Sequence, residues 1–216
     1  MLKGKSFYTV LVLVSFGIIA YVSYINFIHD PRAEEFLNHK EGLKRPLQLP
    51  IWLNVMYIHV VFACIALVSG LLNFSTWLLH NNRKFHRVNG YIYVVSVFMV
   101  ALTSGYMAPY STGGKASSIA FNMLNIIWPF MTGMAIISIR KKRLLQHRKW
   151  MIRSFAYCFT NTFIHLITFV IHKGLGLAYV SSYTISIYCA LIILPILAEI
   201  VIRITLPRSE RTAVKQ

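Results

Sequence analysis

An all-α bundle of six membrane-spanning helices, with both termini on the cytoplasmic side, is the architecture that three features of this sequence predict. The composition is 56% hydrophobic and only 13% charged over 216 residues, a balance foreign to water-soluble domains of this size. Six apolar runs approach or exceed the roughly 20 residues that a helix needs to cross about 30 Å of hydrocarbon. Basic residues concentrate on alternate connections, the pattern that orients polytopic proteins.

The first segment covers residues 7–28 and follows Lys3 and Lys5. It is too long for a signal-peptide core and no small-x-small cleavage site precedes His29-Asp30, so it reads as a retained anchor. The loop 29–50 is the largest connection. In it Asp30-Pro31, followed by Ala33, Glu34 and Glu35, suits an N-cap, a first-turn proline and acids against the helix dipole, which predicts a short surface helix. His29 and His39 lack metal-site spacing and read as solvated. The second segment, 51–79, is long enough to tilt or enter the headgroups, whereas the third, 91–108, is the shortest. Gly113-Gly114 marks a plain external turn. The fourth, fifth and sixth segments cover 119–139, 151–172 and 184–205, with kinks expected at Pro129 and Pro195. Cys64, Cys158 and Cys189 all lie in apolar segments without CxxC spacing, which predicts no disulfide framework or zinc site.

Of the 22 basic residues, 16 fall on the side of the termini: Lys3 and Lys5, Arg83 to Arg87, Arg140 to Arg153, and the tail from Arg203 to Lys215. The other face carries Arg32, Lys40, Lys44, Arg45, Lys115 and Lys173, partly offset by Asp30, Glu34, Glu35 and Glu41. The net charge of +16 is therefore a rim facing membrane lipid and not a nucleic-acid surface. Glu199 stands four residues before Arg203, which predicts an ion pair along the sixth helix.

Four histidines fall at two depths, His59 and His165 toward the outer face and His86 and His147 at the inner one. Ionisable side chains in a bilayer are functional candidates because their burial is costly unless they are paired or liganded. Phe85-His86-Arg87 and Gln146-His147-Arg148 form an echo 61 residues apart. The same offset matches His59 with Ala120 and His165 with Ser104, so the echo is confined to the inner pair. In the fifth segment Ser154, Cys158, Asn161, His165, Thr168 and His172 recur at alternating four- and three-residue steps, a polar seam that should face other helices. Helix-to-helix hydrogen bonding accounts for Ser, Thr and Asn equally well. On the second segment, Ala66, Gly70 and Asn73 fall near the face of His59 and leave space for a flat ligand or for close packing. Asn73 and Asn161 are the candidate substrate contacts.

Histidines at matched depths in a bundle are the arrangement for bis-histidine haem ligation, and His147 and His165 are five helical turns apart, so one helix can serve both levels. That arrangement is similar to transmembrane dihaem cytochromes b. His86 and His147 precede their apolar runs, so they become ligands only if the helices extend into the loops. Their Arg and Lys neighbours favour headgroup-facing positions.

Tyr57-Ile58-His59 with Gly70, the stretch Phe85-His86-Arg87-Val88-Asn89-Gly90-Tyr91-Ile92-Tyr93, Gly113-Gly114, Trp128, and His147-Arg148-Lys149-Trp150-Met151-Ile152-Arg153-Ser154 together resemble a bacterial membrane family, domain of unknown function 2306. The resemblance spans residues 51–172 and rests on an HRxxGxxY and an HRxWMxRS motif. It implies a multi-helix protein of the bacterial cytoplasmic (inner) membrane and assigns no activity. The family pattern carries glutamine where this chain has Asn73 and arginine where it has His165. Arginine cannot ligate iron, so on this comparison His165 replaces a cation that binds an acceptor.

No P-loop, GxSxG, HExxH or paired-carboxylate motif is present, which leaves ATPase, hydrolase and zinc-protease chemistry unsupported. Three readings stand. One is a redox membrane protein holding haem b or quinone through His59, His86, His147 and His165 and meeting a redox partner. The others are a transporter of small molecules or protons and a non-catalytic accessory protein.

Overall fold

The computed structural model describes residues 2–39 and 46–206, and every regular element among them is helical. Lys40, Glu41, Lys44, Arg45 and the basic tail Arg208 to Lys215 lie outside the described residues. Six helices are long and apolar enough to cross a membrane: Ser6–His29, Leu49–Phe74, Arg83–Tyr110, Gly114–Arg140, Leu144–Gly174 and Tyr179–Thr205. The fourth and sixth remain helical through Pro129 and Pro195.

Helix boundaries depart from the apolar runs where capping chemistry overrides hydropathy. The second span stops at Phe74, because Ser75 turns extended and its Oγ accepts from the Leu78 N–H at 3.4 Å, starting a separate helix Thr76–Asn81. Asn82 then caps the third span, its Oδ1 accepting from the Phe85 N–H at 2.9 Å. Ser and Asn favour such positions because a short side chain satisfies an N–H that has no intrahelical partner. His86 consequently sits in the first turns of a helix. The fifth span begins at Leu144, ahead of its apolar run, and holds His147 in the same way.

The second to sixth spans form the bundle, each packing on its neighbour in sequence, while the sixth returns to the fourth and fifth. Ala66, Leu67, Tyr93, Val97, Leu124, Trp128, Phe155 and Ile187 lie in the shared core. The first span is marginal: Phe16 and Leu13 are exposed, and Tyr8 ties it to the second span by donating to the Leu71 carbonyl at 3.1 Å. Large exposed apolar side chains ring the bundle, as expected where hydrocarbon replaces water. At Gly70 a Cβ would stand 2.4 Å from the Phe155 ring. The space beside this glycine is thus filled by the protein's own aromatic ring, which closes that place to a flat ligand.

On the outer side the short helix is a single turn, Glu34–Leu37, and it starts later than the Asp30-Pro31 pattern suggests. Asp30 Oδ1 still accepts from the Glu34 N–H at 2.8 Å, but Ala33 intervenes with a φ of 53° and is buried beside Trp52 and Met56. Tyr57 donates its hydroxyl to the Pro31 carbonyl, and the His39 ring lies 3.9 Å from that of Tyr179. His39 therefore docks the loop on the sixth span. The Gly113 turn is tightly fitted: its φ is +87°, and a Cβ there would stand only 2.1 Å from Thr184 Oγ1.

The fifth span is not one regular helix. A 3₁₀ turn, Tyr157–Phe159, separates Leu144–Ala156 from Thr160–Phe169, and a π turn closes it at Val170–Gly174. Three residues at 3.0 per turn add about 60° of rotation over an α-helix. The polar seam does not keep one environment along this broken span: Ser154 and Thr168 are buried, whereas Asn161 and His165 are exposed.

Candidate functional site

The site begins at the inner end, where two spans that cross in the same direction start with the two His-Arg motifs. His86 of the third span and His147 of the fifth are both half-buried. His147 Nδ1 lies 2.9 Å from the Ala135 carbonyl oxygen. A carbonyl only accepts, so Nδ1 carries the proton and Nε2 keeps its lone pair, the tautomer that a ligating imidazole needs. His86 Nδ1 is buried with no hydrogen-bond partner among the described residues.

Seven residues beyond each histidine, the motifs meet again. The Tyr93 hydroxyl, ending the first, is 2.7 Å from Ser154 Oγ, ending the second, and Ser154 Oγ is 2.7 Å from Thr132 Oγ1. Thr132 donates to the Trp128 carbonyl at 2.9 Å. The direction follows: Tyr93 donates to Ser154, Ser154 to Thr132, and Thr132 to a carbonyl that ends the chain. All three hydroxyl residues are fully buried. A row that terminates on a carbonyl locks three helices together and has no outlet for a proton.

The rest of the second motif faces the fourth and sixth spans. Trp150 meets Phe130 edge-on at 6.2 Å and carries Arg153 over its ring at 4.6 Å. Arg153 Nε then reaches Glu199 Oε1 at 2.6 Å. Glu199 is therefore paired across helices with Arg153, because the stacked guanidinium is already held at its height. The expected pairing along the sixth helix with Arg203 is replaced.

Asn73 sits at the inner end of the second span, where Asn89 Nδ2 donates to its Oδ1 at 2.9 Å and to the Ser69 carbonyl at 2.7 Å. Its amide is engaged between helices. His59 Nδ1 lies 3.0 Å from Thr103 Oγ1 on the third span. Since Thr103 also donates to the Met99 carbonyl at 2.7 Å, its oxygen is positioned to accept from Nδ1–H. His165 instead lies against Tyr183 of the sixth span, ring centroids 6.4 Å apart, and Asn161 is exposed. The outer imidazoles are thus taken up by different helix pairs, and their surroundings do not fit one iron held between them. At the inner end each motif histidine keeps a ring nitrogen unused, Nε2 of His147 and Nδ1 of His86, as a liganded group would need. Among the described residues no group of three or more His, Cys, Asp or Glu comes together to hold a metal ion.

Sequence patterning alone missed Tyr93 and Ser154 as partners, although the signal was present: the 61-residue offset of the inner histidines is also theirs. Thr132 carried no signal. Neither a curated protein nor a solved structure matches this chain. The profile of the family described as predicted membrane protein (DUF2306) matches residues 56–202, about two-thirds of the chain and the whole of both motifs. The chain therefore belongs to this family of multi-helix membrane proteins.

Proposed function

We propose that the chain is a redox protein of the bacterial cytoplasmic membrane, and that its inner histidine pair holds haem b. The observation that carries this reading is that the two motif histidines, at the same end of the bundle, each keep a ring nitrogen unused: His86 has a buried Nδ1 lacking a partner among the described residues, and His147 has Nε2 left free by the Ala135 carbonyl. When bound, haem supplies one-electron chemistry at its iron. The chain's own part is to fix the two imidazoles. Ala135 sets the tautomer of His147 and raises its basicity, and the Tyr93–Ser154–Thr132 row holds the two motif helices at constant spacing. Arg87 and Arg148, next in sequence to the histidines, offer positive charge to carboxylates at headgroup level.

A quinone is the second reading, favoured by a lipid-facing groove of about 320 Å³ between the second and third spans. Cys64, Ile65, Val68, Ser69, Asn89 and Ile92 line it, and Asn89 lies one turn beyond His86. Such a groove suits a prenyl tail.

Protein purified from cells with ample haem supply is expected to show a Soret band, lost in His86→Ala and His147→Ala and kept in His59→Ala. Absence of the band with extractable quinone, lowered by the same two substitutions, selects the second reading. A colourless, quinone-free preparation overturns both and leaves transport or an accessory role.

A further inference from the structure

The buried Ser and Thr side chains of the second to sixth spans bond either to a carbonyl of their own helix or to another span, but Asn161 does neither. It is exposed and has no hydrogen-bond partner among the described residues. Arg153, the last charged residue of the inner end, is eight positions before it, and Lys173 is twelve positions after it. At about 1.5 Å per residue these distances are about 12 and 18 Å, which puts Asn161 near the middle of the hydrocarbon. His165 and Phe169 continue the same exposed side at four-residue steps. Lipid tails offer neither donor nor acceptor, so a carboxamide at that depth is costly unless another protein surface meets it.

We infer that two copies of this chain associate in the bilayer through the Asn161 side of the fifth span. A carboxamide carries both a donor and an acceptor, so it is its own complement. A two-fold axis normal to the membrane brings two Asn161 residues together at equal depth, as an isologous interface requires. A different partner would have to present a polar group at that same level. Asn122, also exposed, lies seven residues from Lys115, about 10 Å from the outer end, too shallow to share the interface. The inference is independent of any cofactor.

The test is resonance energy transfer between full-length copies carrying donor or acceptor fluorophores after Gln216, co-reconstituted in vesicles at low protein-to-lipid ratio. The wild-type chain is expected to show transfer above that of a monomeric membrane protein at equal density. Asn161→Leu should weaken association about tenfold or more, Asn161→Gln should retain it, and Asn122→Leu should leave it unchanged. Because the Asn161 side chain makes no hydrogen bond to the described residues of its own chain, the thermal transition of the purified variant should match that of the wild type when both are diluted in detergent to the monomer. Wild-type transfer at the monomer level, or transfer that survives Asn161→Leu, overturns the inference, including the case in which a different protein or a small ligand occupies this side.

Discussion

At the inner end of the bundle, the residues seven positions beyond two histidines on different helices are hydrogen-bonded to each other. In the outer half, two histidines at equally matched depths engage different helices, His59 by its bond to Thr103 and His165 against the ring of Tyr183. Depth is matched in both pairs, yet only the inner histidines belong to motifs that are hydrogen-bonded to each other. Helix regularity separates the two cases. The inner histidines stand on regular helix beginning at Arg83 and Leu144, while His165 follows the 3₁₀ turn that rotates the fifth span. A shared face read from residue spacing holds only where the helix between the residues is uninterrupted.

The largest effect that sharpens this contrast belongs to the hydroxyl row. Tyr93→Ala removes a fully buried ring that packs near Gly70 and leaves Ser154 without its donor. A loss of about 3–5 kcal/mol is expected, read as a drop in the thermal transition of the purified protein. Thr103→Val, the outer counterpart, leaves only the half-buried His59 without its acceptor and should cost about 1 kcal/mol. Equal losses would mean that the two halves are held alike. Adding bulk at Gly70 tests the same region from the other side. Gly70→Val must displace Phe155 and should cost about 1–3 kcal/mol, whereas Gly133, with open space around it, should accept Ala with little change.

Much of this arrangement was legible in the sequence. Six apolar runs became six spans, and the inner echo has a counterpart in the Tyr93–Ser154 bond. What hydropathy could not resolve were positions where a local hydrogen bond competes with it. Ser75 ended an apolar run that continues through Trp77, Leu78 and Leu79 because its hydroxyl captured a backbone N–H. The room read beside Gly70 was occupied by Phe155, a residue 85 positions away. Glu199 found Arg153 in place of Arg203 because a stacked guanidinium on another helix is invisible to an i,i+4 rule. The last two misses concern a tertiary neighbour, which no local pattern contains.

Capping gives the next prediction. Asn82 brings His86 into helix by accepting from the Phe85 N–H, so Asn82→Ala should cost about 1 kcal/mol and speed amide exchange in the first turn of the third span. Asp30→Ala, which uncaps a four-residue helix in the outer loop, should leave exchange within the six spans unchanged. Orientation is tested separately. Reporters after Gln216 should be active only on the cytoplasmic face, as the sixteen basic residues on that side require. Activity only outside would invert inner and outer throughout.

The smallest effect expected is that of the Arg153–Glu199 pair, and it asks whether the second motif is fixed by charge or by packing. The Nε to Oε1 distance is short at 2.6 Å, but the side chains are 24% and 45% exposed. At the headgroup level water and ions screen the pair, so a double-mutant cycle with Arg153→Met and Glu199→Gln should give a coupling of only about 0.5–1 kcal/mol. It should shrink further between low and high salt. Arg153→Met alone should cost more than the coupling, because it also removes the guanidinium stacked on Trp150. A coupling of several kcal/mol that is insensitive to salt would mean that the pair is shielded from water. The motif helix would then be anchored to the sixth span as strongly as the hydroxyl row anchors it to the third and fourth.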